Sequence, residues 1–219
     1  MPSVETLVTL FGVAILLALT PGPDNLFVLM QSAQRGWRAG MAVVLGLCAG
    51  LAVHTAAVAL GLAAVFAASA VAFTVLKFCG AAYLAYLAWQ ALRAPAVVAG
   101  TSDRSDPAAT AAPVGHAPSW RRMVGRGMFM NLTNPKVLVF FLAFFPQFAQ
   151  PARGPMALQL MVLGLVFIVA ALLVFGTIAC FSGAFGALLQ RSARAQTVLN
   201  RVAGLVFLGL AVRLALVER

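Results

Sequence analysis

Long apolar runs separated by short polar ones dominate the chain. Six runs are long enough to cross a bilayer, which takes about 20 apolar residues as helix. They fall at Thr6–Gln31, Ala39–Ala67, Val71–Leu92, Val124–Pro146, Met156–Leu189 and Val198–Val217. One polar stretch divides them three and three. It runs from Arg93 to Arg122, holds Thr101-Ser-Asp-Arg-Ser-Asp-Pro107 among Ala, Pro and Gly, and reads as a flexible connector. The pattern predicts an all-α membrane protein: a first three-helix repeat over residues 1–92, a polar connector over 93–122 and a second three-helix repeat over 123–219.

The halves repeat in sequence. Gly22-Pro-Asp-Asn-Leu-Phe-Val28 resembles Asn134-Pro-Lys-Val-Leu-Val-Phe140, and Val44-Leu-Gly-Leu47 recurs as Val162-Leu-Gly-Leu165. Lys77-x-x-Gly80-x-x-Tyr83-Leu84 recurs as Arg201-x-x-Gly204-x-x-Phe207-Leu208. Each match is short, but all three keep the same order. A half with an odd number of spans enters the membrane from the opposite side, so the repeats are inverted. That architecture favours alternating access to a site near the midplane.

Composition supports the class. The 219 residues are 63% hydrophobic and 9% charged, more apolar surface than a soluble domain of that size can hide. The net charge of +10 is loop arginine set against anionic lipid. The basic residues are not interleaved with exposed aromatics, so no nucleic acid partner is expected. Cys48, Cys79 and Cys180 stand singly, and His54 and His116 form no metal spacing, so no metal and no cofactor are predicted. Met1 to Val8 carries no Lys or Arg, and the first apolar run is too long for a signal-peptide core, so it reads as retained.

Charge also gives an orientation. Arg35, Arg38, Arg93, Arg104, Arg121, Arg122, Arg126, Arg191 and Arg194 fall in one alternate set of loops; in the other set the N-terminus and Phe66–Ala72 have none, and the loop after segment four has only Arg153. The positive-inside rule puts the connector in the cytoplasm and both termini outside.

Candidate chemistry lies at two interruptions. Pro21, Gly22 and Pro23 should open segment one for about one turn, and Asn134-Pro135 should do the same in segment four. Backbone groups freed in hydrocarbon need partners or water, so broken helices are expected to face a cavity; a packing kink is the plain alternative. The first break lies well past the middle of its segment. The second lies near the start of its own, unless that helix begins inside Trp120–Arg126.

Asp24 is the only acid within an apolar segment; Glu5, Asp103, Asp106 and Glu218 lie at segment ends or in the connector. It reads as a proton carrier or as counter-ion to a substrate ammonium, against the alternative of a simple helix N-cap. Asn25, Asn131, Thr133 and Asn134 beside the breaks bind substrate or only satisfy opened backbone. Lys77 and Lys136 are the only lysines, and both lie in apolar segments. Lys136 aligns with Asp24 with opposite sign, which suggests a pair that exchanges with a zwitterion or a lysine facing water. Lys77 reads as snorkelling toward the outer end of segment three. His54 reads as a buried, hydrogen-bonded histidine, and Gly46-Leu-Cys-Ala-Gly50 as a stripe for close packing within the monomer or in a homodimer.

Leu19-Thr-Pro-Gly-Pro-Asp-Asn-Leu26, Lys77-Phe-Cys-Gly-Ala-Ala-Tyr-Leu84 and Asn131-Leu-Thr-Asn-Pro-Lys136 through Phe145-Pro146 resemble the LysE/RhtB family of amino-acid exporters. The resemblance covers essentially the whole chain. It implies a bacterial inner-membrane exporter driven by the proton motive force, with small-molecule substrate, protons and lipid as partners, and no enzyme activity. By matching positions, Pro21, Gly22, Pro23, Asp24 and Asn25 form its first signature and Asn131, Asn134, Pro135 and Lys136 its second. Lys77 belongs to the third-segment pattern. On this reading Asp24 alternates between a proton and the substrate amino group, while Lys136 or a half-helix N-terminus on the segment-four side holds the carboxylate. The alternative from another class is an accessory membrane protein that stabilises a partner.

Overall fold

A computed structural model describes residues 1–20, 22–68, 70–93, 119–182 and 193–216. Pro21 and residues 94–118 lie outside the described residues, as does the Lys77 side chain. Among the described residues eight α-helices run in chain order: α1 Val4–Leu19, α2 Pro23–Arg35, α3 Trp37–Ala68, α4 Ala70–Arg93, α5 Trp120–Leu132, α6 Pro135–Val139, α7 Met156–Cys180 and α8 Ala193–Leu216. A π-helical turn over Phe140–Phe144 and a 3-10 turn over Phe145–Phe148 continue α6. No strand occurs among the described residues.

Trp37–Gly61 and Met156–Cys180 are each 25 residues long and apolar enough to cross a membrane. The α1–α2 pair bends by 63° and the pair Trp120–Leu132 with Pro135–Phe148 by 54°. Counting each bent pair as one span gives up to four spans among the described residues, by length and composition. Large apolar side chains lie on the outside, among them Leu60, Val4, Leu216 and Phe129. That surface suits lipid rather than water.

Segment four begins earlier than the hydrophobic pattern suggests. Trp120, Arg121 and Arg122, assigned to the connector on polarity, already belong to α5. The added turn evens out the two breaks. The first follows a 16-residue helix and the second a 13-residue helix.

α3 packs along α5 and α7, α4 along α8, α2 along α3 and α1 along α7. The α3–α5 crossing is a seam of small residues. A Cβ on Gly46 would overlap the Val124 carbonyl oxygen, and one on Gly127 the Val43 carbonyl oxygen. Gly50 faces the Asn131 side chain in the same seam. The Gly46–Gly50 stripe is therefore used within the chain, where bare backbone lets two helices approach closely.

Candidate functional site

Proline explains where the polar side chains go. It has no N–H, so the carbonyl four residues earlier loses its helical donor. Leu17 stands four before Pro21, and Asn131 stands four before Pro135. In hydrocarbon an unpaired carbonyl is costly, so each needs a partner from elsewhere.

At the first break the partners come from side chains. Lys136 Nζ donates to the carbonyl oxygens of Leu17 and Thr20, at 3.2 Å each. Asn25 Nδ2 donates to the Ala18 carbonyl at 2.7 Å. The Lys136 ammonium thus closes the C-terminal end of α1, where the helix dipole favours a cation. Thr20 and Leu17, which the sequence reading did not single out, are part of the site through their carbonyls. The proline spacing was the signal for Leu17.

Gly22 precedes α2 with φ −164° and no side-chain cap. That is ordinary extended backbone, so conformational freedom is not why glycine stands here. A Cβ at Gly22 would lie 3.2 Å from Lys136 Nζ. The bare backbone makes room for the ammonium. Asp24 lies in the first turn of α2, where the helix dipole favours an anion.

At the second break the chain caps itself. Asn134 Oδ1 accepts from the Lys136 backbone N–H at 3.0 Å, an N-cap on α6. Asn134 N–H donates to the Asn131 carbonyl at 3.1 Å, and His54 Nε2 lies 3.5 Å from the same oxygen. His54 also stacks on Phe141, with ring centroids 5.4 Å apart. Behind it Phe140, Phe141, Phe144, Phe145 and Phe167 form one buried aromatic block, with centroids 4.7–6.0 Å apart. Such pairs add about 0.5–1.5 kcal/mol each beyond their contact area.

The breaks meet directly. Asn134 Nδ2 donates to Asp24 Oδ2 at 2.9 Å, and the Asn131 side chain also interacts with that carboxylate. Asp24 and Lys136 interact electrostatically but form no contact ion pair among the described residues; the ammonium's partners are carbonyls. Asp24 is 2% exposed, Asn134 3%, Asn131 1% and Lys136 8%, so the junction is closed to the outside. Among the described residues, three acceptors at the junction are buried without a hydrogen-bond partner: Asp24 Oδ1, Asn25 Oδ1 and Asn131 Oδ1.

Asp24, Asn25, Asn131, Asn134 and Lys136 therefore come together. Lys77 belongs to α4, and its side chain lies outside the described residues. Thr133 is exposed, and its hydroxyl donates back to the Phe129 carbonyl at 2.9 Å, which makes it a backbone partner.

The family model described as "LysE type translocator" matches residues 1–218. The chain belongs to the LysE type translocator family. Among its relatives, a Salmonella typhi protein named "Homoserine/homoserine lactone efflux protein" is 35% identical over 193 residues, covering 88% of this chain and 87% of the relative. A Vibrio cholerae "Uncharacterized membrane protein" is 34% identical over 203 residues, covering 92% of each. No solved structure matches the chain. As a LysE type translocator, the chain is a membrane protein of a transport family. Two of the three motifs that carry the resemblance are the two breaks, which in this LysE type translocator are joined by Asn134 and Lys136.

Proposed function

We propose that the chain exports amino acids or close derivatives across the bacterial inner membrane, by proton-coupled antiport and alternating access. The observation that carries this is the Asp24 carboxylate, buried at a helix break with Oδ1 unpartnered. An acid kept in that setting is suited to exchanging a proton for a substrate ammonium. The names of relatives support the substrate class: an efflux protein for homoserine and its lactone stands at 35% identity.

The architecture proposed for this work is six spans in two inverted three-helix repeats, residues 1–92 and 123–219, joined by a cytoplasmic connector over 93–122. Both termini lie on the periplasmic side. Helix pairing supports it. Matching elements pair with each other, α3 with α7 and α4 with α8. The leading half of each broken helix packs on the second helix of the opposite repeat, α1 on α7 and α5 on α3. Asn25, Asn131 and Asn134 line the junction in this reading, and Lys77, whose side chain lies outside the described residues, is a further candidate for binding substrate or proton.

The test is export from proteoliposomes under an imposed pH gradient, with a panel of labelled amino acids. Asp24→Asn should lose gradient-driven export by about 100-fold or more while the protein inserts normally. Undiminished coupled export in that variant overturns the role. Full biological function with both Asp24 and Lys136 neutralised would point to the accessory protein instead.

A further inference from the structure

The polar groups at the junction are unevenly spent. Each of the three side-chain nitrogens already has a partner: Lys136 Nζ donates to the Leu17 and Thr20 carbonyls, Asn134 Nδ2 to Asp24, and Asn25 Nδ2 to the Ala18 carbonyl. The α6 N-terminus offers little more, because Asn134 Oδ1 already takes the Lys136 N–H. Among the described residues, the junction atoms left with no partner at all are acceptors, Asp24 Oδ1 and Asn25 Oδ1; Asn131 Oδ1 is also unpartnered but faces Gly50 in the α3–α5 seam. A buried acceptor without a donor is costly, and for a carboxylate oxygen more so. The unfilled capacity calls for a ligand that donates hydrogen bonds and carries positive charge.

The alternative is that Lys136 turns to a substrate carboxylate. That would leave the Leu17 carbonyl, whose helical donor Pro21 lacks, and the Thr20 carbonyl unpaired. It would also open the contact that ties the second break to α1.

Building on the proposed function, we infer that the junction reads the substrate through its ammonium group alone, and that Lys136 is the clamp between the two broken helices rather than a carboxylate receptor. The substrate class is small primary ammonium compounds, with the carboxylate free or masked. Lys136 is a positioning residue: it acts on the substrate only by holding α1 and α6 in register around Asp24.

The test uses three competitors against export of labelled homoserine by the full-length protein in proteoliposomes: homoserine, its lactone, and N-acetylhomoserine. The first has both charged groups, the second lacks the carboxylate, and the third lacks the ammonium. Lactone should compete within about threefold of homoserine, and N-acetylhomoserine roughly 10- to 100-fold more weakly. The reverse order overturns the inference and needs no variant. Lys136→Gln then separates the roles. A clamp predicts a lower kcat for homoserine and lactone alike, with their KM ratio unchanged. A rise in KM of about tenfold or more for homoserine only would restore Lys136 as the carboxylate receptor. If no panel amino acid moves in the native protein, the proposed function fails first and this inference with it. If export occurs but depends on a free carboxylate, only the inference fails.

Discussion

The two breaks share a proline, a polar residue and a bend, yet they are held in opposite ways. The α5–α6 break is capped from within by Asn134, backed by the aromatic block and seated on α3 through the Gly46–Gly127 seam. The α1–α2 break has no side-chain cap of its own at Gly22, and Lys136 and Asn134 supply partners from the other side. Its seat is looser too. Between α1 and α7 lies a crevice of about 260 Å³ lined by Ile15, Leu19, Leu173, Val174, Thr177 and Ile178. One break is a platform and the other depends on it. Under the proposed inverted repeat, α5 on α3 and α1 on α7 are equivalent contacts. They are packed differently here: backbone meets backbone in the first, while a shallow crevice runs along the margin of the second.

The sharpest way to break the comparison is to attack the two seats with the same kind of change. In Gly127→Leu the new side chain starts on top of the Val43 carbonyl, and neither backbone can withdraw cheaply. We expect a cost upwards of about 3 kcal/mol and loss of a monodisperse peak on size-exclusion in detergent. Leu19→Phe, which grows into the crevice, should leave that peak intact. Equal damage from both would mean the seats do not differ.

A smaller effect separates the side chain that serves both breaks from one that serves only its own. Asn134→Ala removes the α6 cap and strips Asp24 Oδ2 of its donor, together about 2–4 kcal/mol. Asn25→Ala loses one bond, to the Ala18 carbonyl, for about 1 kcal/mol. The first variant should therefore melt well below the second in thermal unfolding followed by circular dichroism. Matching melting temperatures would dissolve the asymmetry.

Much of this junction was legible in the sequence, because its causes are chemical and local. Proline and glycine mark the breaks, and Asp24 and Lys136 stand out as charges in apolar runs. The start of α5 was legible only as an alternative, a helix beginning inside Trp120–Arg126. Arg121, Arg122 and Arg126 lower its hydropathy to that of a connector, although long basic side chains can reach back to water from a helix end. The π-helical turn over Phe140–Phe144 left no signal, since a run of phenylalanines looks the same in any helix. The clamp was half legible. Counting four residues back from Pro21 and Pro135 finds the stranded carbonyls of Leu17 and Asn131. Only the structure shows that Lys136 and His54 are the groups that approach them.

The smallest test concerns the residue that both breaks share a border with. Gly22 is extended at φ −164°, so alanine meets no backbone strain there. Its only cost is steric: the new methyl lies 3.2 Å from Lys136 Nζ, and a flexible ammonium can yield by a few tenths of an ångström. Gly22→Ala should cost less than about 1 kcal/mol in thermal unfolding. Its origin is what matters. If the ammonium is the obstacle, the cost should vanish in a Lys136→Gln background, where the group that has to move is gone. A coupling of a few tenths of a kcal/mol in that double-mutant cycle would locate the clamp at the first break. An unchanged cost in both backgrounds would assign Gly22 to opening the helix and leave Lys136 out of its explanation.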